Sequence, residues 1–304
     1  MRRALFVVNP TGVRHLGELR RRCEEAARGH GWEALLMVTQ AGDSSLTLHA
    51  QVRGYLEEGG ERLVFAVGGD GTVRACAHDL AGTGVPLAVL PRGTANLFAH
   101  ALGLPADAAR ALEVGFGDAS RQVDLPFADG MPFVAMAGMG LDAAVVGSTP
   151  PWLKSGLGWV GYALVGAPHV FMPPRPVRLC LDGGPVLERH AHAVVVGNVG
   201  VLPGGFHLLP GALVDDGLVD VGVLSPGGLA GWARLGRRMV SGRPPRPGRH
   251  HPDLEHLRAR VVELSTPEVS PRQLDGDMVE PGATMSVVVE AGALVVKAPP
   301  RAAE

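Results

Sequence analysis

The residues best suited to chemistry sit in short glycine-marked segments. Gly68-Gly69-Asp70-Gly71-Thr72 follows the apolar run Leu63–Val67 and precedes a helical pattern. Glycines at a strand–helix junction let backbone N–H groups approach a ligand closely, and the start of the next helix favours phosphate. A carboxylate among those glycines suits a magnesium shell or a proton acceptor for a hydroxyl nucleophile. It equally suits a cap on the helix that begins near Gly71. Pro91-Arg92-Gly93-Thr94-Ala95-Asn96 repeats the arrangement after Leu87–Leu90, with Thr94 or Asn96 available as a cap. Asn9-Pro10-Thr11-Gly12 follows a further apolar run, Ala4–Val8. Loops at the carboxyl ends of neighbouring parallel strands share one edge, which is where such sheets bind ligands.

Two acidic segments lie further along. Gln273-Leu274-Asp275-Gly276-Asp277 is a polar turn or a pair of working carboxylates. Asp215-Asp216-Gly217-Leu218 is a hairpin turn or a cation loop. Gly138-Met139-Gly140-Leu141-Asp142-Ala143 matches a dinucleotide fingerprint, but it falls outside any strand–helix–strand series and no acidic residue follows at the required distance. The chain has no G-x-x-x-x-G-K-[ST] segment, which excludes an ordinary P-loop enzyme. Its 12 histidines show no metalloprotease spacing and read as surface or packing residues.

To bring the glycine loops to one edge, the first 125 or so residues must form a parallel sheet. The pattern supports this: strand-like runs at Ala4–Val8, Ala34–Val38, Leu63–Val67 and Leu87–Leu90 alternate with helical faces. Those faces run through Leu16–Ala27, Leu48–Leu56, Val73–Leu80 and Leu97–Leu102. Apolar strands between helices imply a sheet covered on both sides. After Val123-Asp124-Leu125 the texture becomes β-rich, with strand-like segments at Val177–Leu181, Ala193–Val196, Leu218–Val223, Val261–Leu264, Met285–Val289 and Leu294–Val296. Arg243 to Pro252, with His250 and His251, reads as a solvated surface loop.

At 304 residues the length suggests two domains, and 46% hydrophobic against 19% charged residues excludes a disordered chain. Gly 43 and Pro 25, scattered without period, indicate many tight turns. Lys+Arg 28 against Asp+Glu 30 argues against a nucleic-acid binder. Cys23, Cys76 and Cys180 have neither disulfide nor zinc spacing, so a reducing cytosol is the simplest compartment. The run Ala4–Val8 is too short for a signal-peptide core. Ser155 to Pro174 lacks charge but holds several glycines and prolines, which favours a half-buried helix from about Trp152 to Val165 over a membrane span.

In order, Val8-Asn9-Pro10, Gly68 to Thr72, Leu90 to Asn96, Ala137 to Ala143, Pro210 to Leu218 and Leu274 to Asp277 resemble the motif series of the diacylglycerol kinase catalytic-domain family. That family includes bacterial lipid kinases and the sphingosine and ceramide kinases, and the resemblance runs from Ala4 to about Val296. Gly-Gly-Asp-Gly-Thr alone is shared with NAD kinases. The resemblance implies an α/β nucleotide-binding domain with a parallel sheet over residues 1–126. An antiparallel β-sandwich-like lipid-substrate domain would follow over 127–304, its last strands returning to the first domain, with the active site in the cleft between the two.

By the same resemblance, ATP would contact Asn9, Thr39, Gly68, Gly69, Asp70, Gly71, Thr72, Gly93, Thr94 and Asn96. Magnesium would be held by the carbonyls of Leu213 and Leu218 and the carboxylate of Asp216. Asp277 stands where the family has its glutamate base, and Asp70 is the other candidate base. Asp277 is shorter by one carbon–carbon bond, about 1.5 Å. Asp275 and Gly276 would give its turn the freedom to compensate. Leu97 replaces an aspartate found in many bacterial members.

The activity implied is an ATP- and magnesium-dependent phosphorylation of a lipid hydroxyl, on diacylglycerol or a related lipid. The alternatives are a soluble NAD kinase or a lipid-binding homologue that has lost catalysis. The partner is a membrane lipid, reached by peripheral contact from the cytoplasm at the inner face of the membrane, and a homodimer is left open. Trp152, Leu153, Leu157, Trp159 and Val160 either receive lipid tails or belong to an ordinary core.

Overall fold

The structure, a computed structural model, describes residues 2–13, 15–39, 45–140, 173–202, 204–242 and 253–301. The chain divides into two compact units, Met1–Leu125 with Gly292–Glu304, and Pro126–Ala291. The expected helix at Trp152–Val165 with its apolar side chains, the end of the Gly138–Ala143 segment and the Arg243–Pro252 loop lie outside the described residues.

The first unit is the α/β layer that the alternation predicts. Its elements run β1 (Arg2–Val8), α1 (Leu16–Gly29), β2 (Glu33–Val38), α2 (Ser45–Glu57), β3 (Glu61–Gly68), α3 (Asp70–Leu80), β4 (Leu87–Pro91), α4 (Leu97–Ala101) and α5 (Ala108–Phe116). β5 (Ser120–Ala128) then leads out of the unit. The strands pair in parallel in the order β2-β1-β3-β4, with Leu5 beside Leu35 and Val64, and Phe65 beside Ala88. Strands buried on both faces explain why β1 and β3 read as unbroken apolar runs. Phe6 and Phe65 stack at 4.4 Å between ring centroids, and Phe116 of α5 tilts onto Phe65 at 4.8 Å. α5 is absent from the sequence expectation. Its signal is Asp107, whose side chain accepts from the Arg110 N–H as an N-cap.

The second unit is antiparallel. It contains β6 (Met131–Pro132), β7 (Met136–Gly140), β8 (Arg175–Leu181), β9 (Leu187–Ala191), β10 (Ala193–Gly197), β11 (Val201–Leu202), β12 (Phe206–His207) and β13 (Val219–Leu224). α6 (Gly228–Ser241), β14 (Leu254–Ala259), β15 (Val261–Leu274) and most of β16 (Asp277–Lys297) complete it. The order is β14-β13-β10-β7-β15-β16, with β8 also on β15 and β9 on β8. Met136–Gly140 is therefore a buried strand between β10 and β15, which disposes of the dinucleotide match. α6 and β14 were not expected, because glycines at 227, 228, 231 and 236 interrupt the helical pattern of the one, and histidine and arginine the alternation of the other.

The end of β16 returns to the first unit, where Val296 pairs in parallel with Leu87. The Gly292 N–H donates to the buried Asp124 carboxylate at 2.8 Å, fixing that return. Burial pushes the thiols of Cys23 and Cys76 up to about 12, so neither is a nucleophile at neutral pH. Among the described residues, no helix is long and apolar enough to cross a membrane.

Phe65 is fully buried at the centre of the first unit's aromatic stack. Phe65→Ala is expected to lower unfolding stability by about 3–5 kcal/mol, measured by urea denaturation.

Candidate active site

Parallel pairing brings the carboxyl ends of β1, β2, β3 and β4 to one edge of the first unit, and backbone hydrogen bonds tie neighbouring loops there. The Asn9 N–H donates to the Val67 carbonyl at 3.0 Å, and the Arg92 N–H to the Gly68 carbonyl at 2.8 Å. Thr39 donates twice to the Val8 carbonyl, from N–H at 2.9 Å and from Oγ1 at 3.3 Å. Asn9 caps the short turn Pro10–Gly12 by accepting from the Thr11 N–H.

Asp70 joins the two glycine loops. It is the first residue of α3, whose N-cap is Gly69, and its carboxylate does not cap its own helix. Oδ2 accepts from the Leu97 N–H at 2.9 Å and Oδ1 from the Phe98 N–H at 3.0 Å. These amides open α4, whose own N-cap, Asn96, makes no side-chain cap bond. Asn96 sits at φ 47° and instead closes its own loop: its Oδ1 accepts from Gly93 N–H at 2.9 Å and its Nδ2 donates to Gly93 O at 2.7 Å. The cap that sequence places on Thr94 or Asn96 is thus supplied by Asp70, 27 residues earlier. Thr94 itself is exposed on the loop.

The loops also touch. A Cβ on Gly69 would stand 3.1 Å from Gly93 Cα, and one on Gly93 would overlap Gly69 Cα. Asp70 is only 8% exposed. Burial pushes its carboxyl above the ordinary value, against the pull of the Leu97 and Phe98 amides. With each oxygen engaged by an amide, Asp70 positions the two loops against each other. The residues present fit a nucleotide's phosphates: side-chain-free backbone at two touching loops, and the start of α3 at the same edge.

In the second unit, Asp275-Gly276 forms a two-residue hairpin between β15 and β16, closed by the Leu274–Asp277 pair. Both turn residues have positive φ, 50° and 85°, as a type I′ turn requires. The Asp275 carboxylate accepts from Val134, Ala135 and Met136 N–H groups at 3.0, 2.8 and 3.1 Å. Its own N–H donates to the Met136 carbonyl. The expectation that Asp275 and Gly276 leave the turn free is therefore overturned: the side chain clamps it. Asp277 follows, exposed, as the first residue of β16.

The Asp216 loop departs from the magnesium expectation. Asp216 Oδ1 accepts from the Leu218 N–H at 3.1 Å, and Oδ2 forms an ion pair with Arg258. Arg258 lies opposite Asp220 in the β13–β14 register and also approaches its carboxylate at 3.5 Å. A guanidinium from within the chain thus pairs with the carboxylate that the resemblance gives to magnesium. The missed signal is the alternation of β14, which puts His256 and Arg258 on one face, two residues apart. Magnesium added without nucleotide is accordingly expected to leave the melting temperature unchanged. A magnesium-dependent rise that Asp216→Ala abolishes would restore the metal site.

Comparison with known proteins agrees with this architecture. Residues 3–127 match the diacylglycerol kinase catalytic domain, and residues 135–298 match the YegS C-terminal NAD kinase beta sandwich-like domain. A Pseudomonas fluorescens protein named "Probable lipid kinase YegS-like" is 34% identical over 98% of this chain and 96% of its own length. The diacylglycerol kinase of Bacillus subtilis is 29% identical over 91% of this chain and 90% of its own. A crystal structure of a diacylglycerol kinase from Bacillus anthracis superposes with a TM-score of 0.70 at 22% identity, covering 99% of this chain and 98% of that one, a likeness of fold. At one-third identity over almost its entire length, with both domain patterns in sequence, the chain belongs to the YegS-like lipid kinase family.

Proposed function

We propose that the chain transfers the terminal phosphoryl group of ATP to the hydroxyl of a membrane lipid of the diacylglycerol class. The observation that carries this reading is the Asp70 clasp, which holds the two glycine loops in contact at the strand-end edge. Phosphoryl transfer depends on positioning and charge neutralisation more than on covalent chemistry, so a preformed phosphate cradle is its main requirement. Gly68, Gly69, Gly71, Thr72 and Gly93 hold the phosphates by their backbone, Asn96 shapes the second loop, and Asn9, Thr39 and Thr94 border the nucleotide. Magnesium bound with the nucleotide neutralises phosphate charge. The lipid oxygen attacks the terminal phosphorus, its proton passes to a carboxylate base, the role that the resemblance gives to Asp277, and ADP leaves. Reaching such a substrate takes peripheral contact with the inner face of the membrane.

Incubation of the protein with ATP, magnesium and mixed-lipid vesicles should yield phosphorylated lipid, identified by mass spectrometry. Phosphorylation of NAD instead would identify a nucleotide-cofactor kinase. Binding of ATP without turnover on any lipid would identify a lipid-binding homologue that has lost catalysis.

Asp70→Asn replaces one accepting oxygen by a donor facing an amide of α4. It is expected to cost about 1–3 kcal/mol of stability, the range for a buried group left unsatisfied. It should also weaken ATP binding, read as a raised KM for ATP; normal melting with normal KM would sink the clasp. Asp277→Ala should lower kcat by about 10²-fold or more, as for loss of a positioned base. On a clamped turn the backbone cannot make up the missing bond length, so Asp277→Glu should restore the family's reach and raise kcat. Full activity of Asp277→Ala would make Asp277 a turn residue.

A further inference from the structure

At the end of α3 remote from the glycine loops, two imidazoles and a carboxylate converge. His78 and Asp79 lie in the last turn of α3, and His49 lies on α2, which packs against α3. His49 Nδ1 is 2.8 Å from Asp79 Oδ2, and His78 Nδ1 is 3.5 Å from Asp79 Oδ1. The two rings are tilted, 4.4 Å apart between centroids. One nitrogen from each histidine and one Asp79 oxygen all lie within 4.8 Å of one another.

Two features set this cluster apart from an ordinary surface salt bridge. The Asp79 side chain is fully buried, although Arg53 also reaches it, at 3.2 Å. His78 Nδ1 is itself buried and makes no hydrogen bond. A buried ring nitrogen beside a carboxylate oxygen calls for a polar partner, and a metal ion would meet both. Two imidazole nitrogens and one carboxylate oxygen are a donor set that zinc accepts, with bonds of about 2.0–2.2 Å and a fourth position left to water. Tetrahedral geometry at that length separates ligand atoms by about 3.3 Å, so ion binding would draw the three atoms closer together. The rings, at 21% and 30% exposure, leave a path from solvent. The C-terminal end of α3 adds favourable dipole for a cation.

We propose that His49, His78 and Asp79 bind a divalent late-transition metal ion of the zinc class, which fastens α2 to α3. Neither histidine belongs to the strand-end loops, so the proposal stands apart from the kinase reading.

The test is direct titration of the untagged full chain. Cobalt(II) should bind at one equivalent with visible d–d absorption, and zinc should displace it and raise the melting temperature. His49→Ala and His78→Ala should each weaken binding by about 10²-fold, at least the loss that outer-shell changes cause. His49→Gln, checked for folding by circular dichroism and for unaltered basal turnover, should weaken it likewise. Absence of saturable cobalt binding, or binding that survives both His49→Gln and His78→Ala, overturns the site.

Discussion

One carboxylate sets the geometry on which the candidate nucleotide edge depends. Without Asp70, the first two amides of α4 have no cap, because Asn96 has turned its side chain back onto Gly93. With it, the start of α3 and the start of α4 share one anion, and two loops that sequence separates by more than twenty residues behave as one piece. Burial opposes this by pushing the carboxyl up, and the two amides offset part of that cost. A buried acceptor with two backbone donors is rigid, and rigidity is what a phosphate cradle requires.

The same device recurs across the molecule. Asp129, Asp182 and Asp275 each occupy positive φ, near 50°, and each precedes a glycine. Each turns its carboxylate onto the backbone of another strand. Asp129 takes the Ser286 N–H, Asp182 those of Arg260 and Val261, and Asp275 those of Val134, Ala135 and Met136. An Asp-Gly dipeptide is therefore more than a local turn in this chain. Its side chain staples the hairpin tip to an element 78 to 157 residues away.

That recurrence explains what was legible in the sequence and what was not. Local patterns gave β1 to β4, the helices between them and the edge on which their loops gather, because apolar period and strand-end glycines are short-range signals. Among these Asp-Gly turns, the one at Asp275-Gly276 was legible too, as a turn. Its partners were not, since nothing within a few residues of Asp275 points to Val134. Arg258 was missed for the same reason: it faces Asp216 and Asp220 only once β13 and β14 are in register. The motif series identified the family, and it did not show that the strand register sets an arginine beside Asp216.

The glycines of the two loops carry a narrower message than their motif suggests. Gly93 must lack a side chain because Gly69 Cα occupies the space, and Gly68 because Thr72 does. Those contacts are within the protein and would impose glycine with or without a ligand. The phosphate reading therefore rests on what remains once they are subtracted: the start of α3, on the edge where four parallel strands end. Asp70, at the start of α3, takes the first two amides of α4, so the clasp ties the start of the second helix to the edge that the first one lines.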